Sequence, residues 1–285
     1  MLRNQIIFIN LLPVTDNSMK LTVIQPENTF KCNQCGSCCS HIRGMMPRED
    51  KEFIEKMAYG RLPLVQLVPV EKMSFPLWDW EAARFKQWQK EADVDGKIFP
   101  SRGILDLNSN KAIIVTYFMD SDSCPFLKEK KCSIYYNKRA YICRLFPFNR
   151  GPFLNVGEKA AKNNMFGTCG AMDKLMPLIP DNYEDMVKFL SKAFPDGSFE
   201  NAVQFDYINE WANRTIVDLM KKKMMRPAMN YPYDLFLKRF ENAEKVDFTD
   251  FLEQCGYIES KEELIRRFDD NADAKHIIAE FLETK

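Results

Sequence analysis

The chain of 285 residues is long enough to bury a substantial core, so metal is not needed merely to hold a small fold together. Forty basic and forty acidic side chains cancel, which excludes a whole-molecule field that would draw in nucleic acid or an anionic membrane surface. No stretch approaches the roughly 20 apolar residues of a membrane-spanning helix, and the apolar run Ile6 to Val14, broken by Asn10, is not expected to act as a secretory signal.

Met19 offers a second start, so residues 1–18 are read as an extension or a loosely held strand without function. Residues 22–31 read as an extended lead-in to the run NTFKCNQCGSCCSHIRG, which has turn residues and no helical period and is expected to be a ligand loop. Pro47, followed by Glu49 and Asp50, marks a helix start, with Phe53, Ile54 and Met57 on its apolar face. Between residues 61 and 100, the spacing of Trp78, Trp80, Phe85 and Trp88 suits a partly buried helix. The run KAIIVTYFMD at 111–120, preceded by ILDLN and the polar turn Asn108 to Asn110, predicts a β-hairpin that delivers Cys124. Beyond about Leu175, YEDMVKFLSKAF, FENAVQFDYINEWANRTIVDLMKK, YDLFLKRF, DFTDFLEQC and KEELIRRF all carry helical periodicity. The expected architecture is therefore α+β and predominantly helical. A cysteine-rich module with a small hairpin spans about 20–170, with an insertion at about 60–110, and a helical domain spans about 171–285 packed against it.

The nine cysteines are Cys32, Cys35, Cys38, Cys39, Cys124, Cys132, Cys143, Cys169 and Cys255. Without an export signal the expected compartment is a reducing cytoplasm, where clustered thiols bind metal more often than they pair as disulfides. Two successive C-x2-C steps let a tight loop turn its thiolates toward one ion, and the same spacing grips iron–sulfur clusters in bacterial ferredoxins. Cys38 and Cys39 are adjacent. In an extended segment their side chains would point to opposite faces, so they are expected to serve two centres, or one of them to be a spectator. If Cys32, Cys35 and Cys38 take one distal cysteine, then Cys39 and the other three distal cysteines make a second set of four. Spacing does not say which distal cysteine goes where. Cys255, isolated at the end of DFLEQC, is expected to be structural.

FKCNQCGSCC, with CPFLKEKKCSIYYNKRAYICRLFPF from Cys124 to Phe148, resembles the zinc- or iron-chelating cysteine-cluster (CxxCxxCC) family over about residues 30–170. By that resemblance Cys32, Cys35, Cys38, Cys39, Cys124, Cys132, Cys143 and Cys169 occupy metal-binding positions. One departure is Ala140, where the family has a proline after the arginine; the helix start is less preorganised but no ligand is lost. A looser resemblance, to the flagellin lysine N-methylases, implies methyl transfer to protein lysine. No Gly-rich loop for S-adenosylmethionine is evident.

Only two histidines are present, so a histidine-based catalytic zinc site has almost no raw material. His41 reads as an exposed loop residue with an alternative role beside the thiolates, and His276 as structural. Tyr135, Tyr136 and Tyr141 flank the distal cysteines and are expected to pack there. Of the cations beside the ligands, namely Lys31, Arg43, Arg139 and Arg144, the one expected to offset thiolate charge is Arg144. The Lys221 to Lys223 run reads as a solvated helix end. The leading expectation is an iron–sulfur protein, with a [4Fe–4S] cluster, acting in electron transfer or as accessory to a partner enzyme. The alternatives are a structural zinc module and a lysine N-methylase-like enzyme. The expected partner is another protein rather than nucleic acid or membrane.

Overall fold

The computed structural model describes residues 28–43, 51–52, 54–136, 138–152 and 165–283. The extension before Met19, the first part of the lead-in and the helix start at Pro47 lie outside the described residues. The fold is α+β with helix predominating.

The predicted hairpin is the centre of the molecule. β3 (Ile98–Asp106) and β4 (Lys111–Met119) pair antiparallel across Asn108 to Asn110, from Asp106 opposite Lys111 to Ile98 opposite Met119. β1 (Val65–Gln66) adds to β3, while β2 (Pro76–Trp78) lies along the other edge of β4 at Thr116 to Phe118. β4 is buried from Ala112 to Thr116, as a central strand covered on both faces must be. Along it the side chains alternate as the pleat requires. Ile113 and Val115 enter the main cluster with Trp78, Trp80, Phe199, Phe248 and Phe268, whereas Ala112 and Ile114 meet Val65, Phe236 and Phe240.

Five helices follow the predicted segments, namely α4 (Tyr183–Ala193), α5 (Ser198–Lys221), α6 (Tyr233–Asn242), α7 (Phe248–Gln254) and α8 (Lys261–Asp269), and α9 (Ala272–Glu283) comes after them. Their starts are chemically marked. Asn182 Oδ1 accepts from the amides of Glu184 and Asp185, Asp196 Oδ1 from the amide of Ser198, and Ser260 Oγ from the amide of Glu263, satisfying donors a helix leaves unpaired.

Two features differ from the expectation. Residues 61–100 are not one helix. Trp78 ends β2 and precedes α2 (Asp79–Glu91), and the rest supplies β1, β2 and the start of β3. Prolines at 63, 69 and 76 remove donors and favour extended backbone, which the tryptophan spacing does not register. The second is β7 (Glu244–Asp247), which pairs parallel with Lys111 to Ile114 of β4 although the two strands lie far apart in sequence. Tyr117 donates its hydroxyl to Asp247 Oδ1 at 2.6 Å beside this pairing. Asp79 reaches across as well, its Oδ2 accepting from the amide and hydroxyl of Thr249 at 2.7 Å each and so capping α7 from another element.

Candidate metal centre

The four clustered cysteines lie on a loop that closes into a single helical turn. Gln34 and Gly36 take left-handed φ values of 53° and 75°. At Gly36 a side chain is impossible, since a Cβ would sit 2.4 Å from the carbonyl oxygen of Lys130 and 2.8 Å from Leu127 Cδ1. α1 (Ser37–Ser40) then forms, with the amides of Cys39 and Ser40 donating to Gly36 O at 2.9 and 3.1 Å. This turn corrects the expectation for the adjacent pair. The segment is helical rather than extended, so Cys38 Sγ and Cys39 Sγ lie side by side at 3.8 Å.

The distal cysteines arrive on separate short elements. Cys124 follows β4, and its amide donates to Cys39 O at 2.8 Å, tying the two halves of the cysteine pattern together by backbone. Cys132 lies in β6 (Lys131–Cys132), opposite Leu127 of β5 (Leu127–Lys128). Cys143 is in α3 (Tyr141–Arg144), which starts after Ala140 with no side-chain cap from that residue. What the missing proline does not preorganise is held from α2: buried Glu81 accepts the Tyr141 amide at 2.6 Å on Oε1 and the Trp78 amide at 3.2 Å on Oε2. Cys169 precedes a 3-10 turn at Gly170–Met172.

Packing sorts these thiols into two groups. Cys39, Cys124, Cys132 and Cys143 belong to the cluster of Leu77, Phe85, Met119 and Phe126, while Cys32 and Cys169 pack against the main core. Electrostatics sorts these six the same way, adds Cys35 to Cys32 and Cys169, and ties Cys38 to Cys39, Cys132 and Cys143 as well as to Cys35. Cys169 is influenced by Cys32 and Cys35, whereas Cys143 is influenced by Cys39, Cys132 and Cys38. Cys38 sits between the groups, facing Cys39 and Cys35. All nine cysteines are free thiols, and Cys255 lies apart from the eight, its Sγ donating to Leu252 O at 3.5 Å. Among the described residues, no three His, Cys, Asp or Glu side chains already stand around a common point.

Crowding and burial push five of these thiols upward. The hydrogen bond to Cys39 raises Cys38, and the one to Cys124 pushes Cys39 up to about 12. Burial raises Cys132, Cys143 and Cys169. Cys35, the exposed member, moves the other way, lowered by its hydrogen bond with Ser37 at 3.3 Å. Each thiolate formed opposes the next, a conflict that a cation at the centre reverses.

Arg139 favours ionisation of Cys38, Cys132 and Cys143 and donates to Cys143 O. Arg144, expected in that role, turns away. It stacks on Tyr141 at 4.0 Å and faces Asp269, because one turn of α3 directs residue 144 toward α8. Arg43 is taken up by Asp120 and Asp122. Tyr135 lies with its hydroxyl toward Cys32, and burial with that contact pushes it up to about 12. His41 is exposed, and His276 pairs with Glu280 in α9. Sequence reasoning missed Glu81. Its signal was available as the acidic residue three positions into a helix that begins after Trp78.

Residues 31–170 match the model of CxxCxxCC, described as a "putative zinc- or iron-chelating domain", and over this stretch the chain is similar to that family. The match covers all eight cysteines of the cluster and supports metal binding. No curated protein and no solved structure matches the chain. No described helix is long and apolar enough to cross a membrane.

Proposed function

We propose that this chain holds two thiolate-ligated centres, one on Cys32, Cys35, Cys38 and Cys169 and the other on Cys39, Cys124, Cys132 and Cys143. The observation that supports the partition is the packing of Cys39, Cys124, Cys132 and Cys143 in one cluster and of Cys32 and Cys169 against the main core, with Cys35 joined to the latter by its influence on Cys169. Cys38, which has ties to both groups, is assigned to the first set by the C-x2-C-x2-C spacing. In this reading residues 20–170 bind the metal and residues 171–285 support it as a helical domain. The first set repeats the C-x2-C-x2-C plus remote cysteine arrangement that holds [4Fe–4S] clusters. A cluster there, close to exposed Cys35, serves electron transfer, either directly or as accessory to a partner enzyme in a reducing cytoplasm. The chain's own contribution is to bring four elements to one place, to exclude water on the Leu77–Phe126 side, and to offset thiolate charge through Arg139.

One observation favours a second reading, in which the metal is structural zinc. The 3.8 Å between Cys38 Sγ and Cys39 Sγ equals the edge of a tetrahedron with metal–sulfur arms of about 2.3 Å. That geometry suits two thiolates on one ion. Anaerobic purification with elemental analysis and an absorption spectrum separates the two. Brown protein with iron and acid-labile sulfide supports the cluster, whereas colourless protein with zinc and no iron overturns it.

A further inference from the structure

The surface over the cysteine loop is built for a partner. The tip of the β5–β6 hairpin lies on Gly36, so Lys128, Lys130 and Lys131 stand exposed at the rim of the thiols, with exposed Lys31 beside Cys32. None of these four lysines has a carboxylate partner among the described residues. Lys138 is held by Glu91 and Arg139 by the Cys143 carbonyl, so these two are spent locally. The acids nearby are Glu129 in the hairpin tip, Glu91, and Asp196 near Tyr135. At the middle of this rim Tyr136 is 81% exposed, by far the most exposed large aromatic or aliphatic side chain described. It is fixed rather than loose. Gln34, between Cys32 and Cys35, donates its Nε2 to the Tyr136 hydroxyl at 2.9 Å, and the ring meets Tyr135 edge-on at 5.3 Å. Arg139 in turn lies over Tyr135 at 4.5 Å.

We infer that this face, comprising Tyr136, Gln34 and the lysines 31, 128, 130 and 131, is a docking surface for an acidic electron-carrier protein. The role of the carrier rests on the iron–sulfur reading above; the charge and aromatic chemistry of the surface do not. An exposed, hydrogen-bonded tyrosine is the residue type that anchors interfaces, and a group of lysines without carboxylate partners, Lys128 donating to the Ala92 carbonyl oxygen at 3.5 Å, steers a partner of opposite charge. The chain as a whole is neutral, so attraction for an acidic protein must come from this local excess. A nucleic-acid strand would need a basic groove tracking several nucleotides, whereas Lys128, Lys130 and Lys131 share one hairpin with Glu129 among them. In the exchange itself no bond forms. One electron leaves the reduced carrier, and the oxidised centre here gains it.

The probes are a plant-type [2Fe–2S] ferredoxin, which is acidic, cytochrome c, which is basic, and an oligo(dT) strand, with binding to the metal-loaded full chain followed by calorimetry. Ferredoxin should bind at low salt and weaken at least about tenfold between about 20 and 300 mM NaCl, and cytochrome c should not bind. The triple variant K128E/K130E/K131E should lose ferredoxin binding, and Tyr136→Ser should weaken it, both with metal content unchanged. The inference is overturned if wild-type protein does not bind ferredoxin, if the triple variant binds it equally well, or if oligo(dT) binds more tightly than ferredoxin. These outcomes do not depend on which metal is bound, so colourless zinc protein that still binds ferredoxin through the lysines would sink the iron–sulfur reading and leave the surface standing.

Discussion

The cysteine region and the sheet with its helices are held together by different physics. Around β4, side chains such as Ile113, Val115, Phe199 and Phe248 are almost wholly buried in one cluster that draws on both the sheet and the C-terminal helices. Four of the cysteines instead sit on elements of two to four residues, α1, β6 and α3, and the other four on the loops between elements. Six of the eight thiols there are only half-buried and one is exposed. Elements so short cannot be stable alone. In one region burial supplies the order; in the other, a few backbone bonds and one glycine set the geometry and metal must supply the rest.

The largest effect should therefore come from removing metal. Chelation or acid release is expected to abolish hydrogen-exchange protection at residues 32–39 and 124–145 while leaving α5 protected, as measured by native-state exchange. Loss of protection throughout α5 at the same chelator concentration would show that the two regions do not differ as described. The converse is Phe199→Ala, which empties part of the main cluster and should cost about 3–5 kcal/mol in denaturant unfolding. The metal content of the folded fraction should be unchanged.

Glu81→Ala tests the junction. It leaves the amides of Tyr141 and Trp78 without their buried acceptor, at about 1–3 kcal/mol in total stability. Because α3 carries Cys143, the variant should also lose metal to a chelator faster than wild type. Equal chelation rates would mean that α3 is held by metal alone.

The fold was largely legible in the sequence because its signals are local. Alternating β-branched and aromatic residues around the turn Asn108 to Asn110 predict β3 and β4, and helical periodicity predicts α4 to α8. β7 was not legible. EKVD is four residues with one buried side chain, and its partner lies far away in sequence. At the site, spacing and resemblance pick out the cysteines, but side-chain direction is invisible to spacing. Arg144 is next to Cys143 in sequence and Arg139 is four positions before it, yet the turn of α3 sends Arg144 toward Asp269 and it is Arg139 that acts on the thiols. The same limit applies to Cys38 and Cys39, whose approach depends on a helical turn too short to show a period.

Asp79 gives the pH dependence expected of the buried region. Burial pushes its carboxyl up to about 7, against about 3.9 when unfolded. A raised folded value means its stabilisation is fully present below pH about 4 and is lost as pH rises through about 7. Wild-type stability should fall over that interval. Asp79→Asn keeps an acceptor for Thr249 and should remove this part of the slope, which denaturant titrations at several pH values would reveal.

The smallest effect is expected at Cys255, which separates a structural thiol from a ligand. It ends α7 as the cap residue, and the left-handed turn that follows belongs to Gly256, with φ 71°. The amide of Gly256 donates to Glu253 O at 3.0 Å and that of Tyr257 to Leu252 O at 2.9 Å, so the helix end is closed by backbone alone. The thiol adds one long hydrogen bond to Leu252 O at 3.5 Å and partial contact with the main core. Serine can make the same bond and loses only a little apolar contact. Cys255→Ser should therefore change stability by no more than about 0.5 kcal/mol, with bound metal identical to wild type by elemental analysis. A Gly256→Ala variant at the same turn forces an L-residue into the left-handed region and should cost more, about 1 kcal/mol. Metal loss in Cys255→Ser would instead place a ligand in the helical part and dissolve the distinction between a region ordered by burial and one ordered by metal.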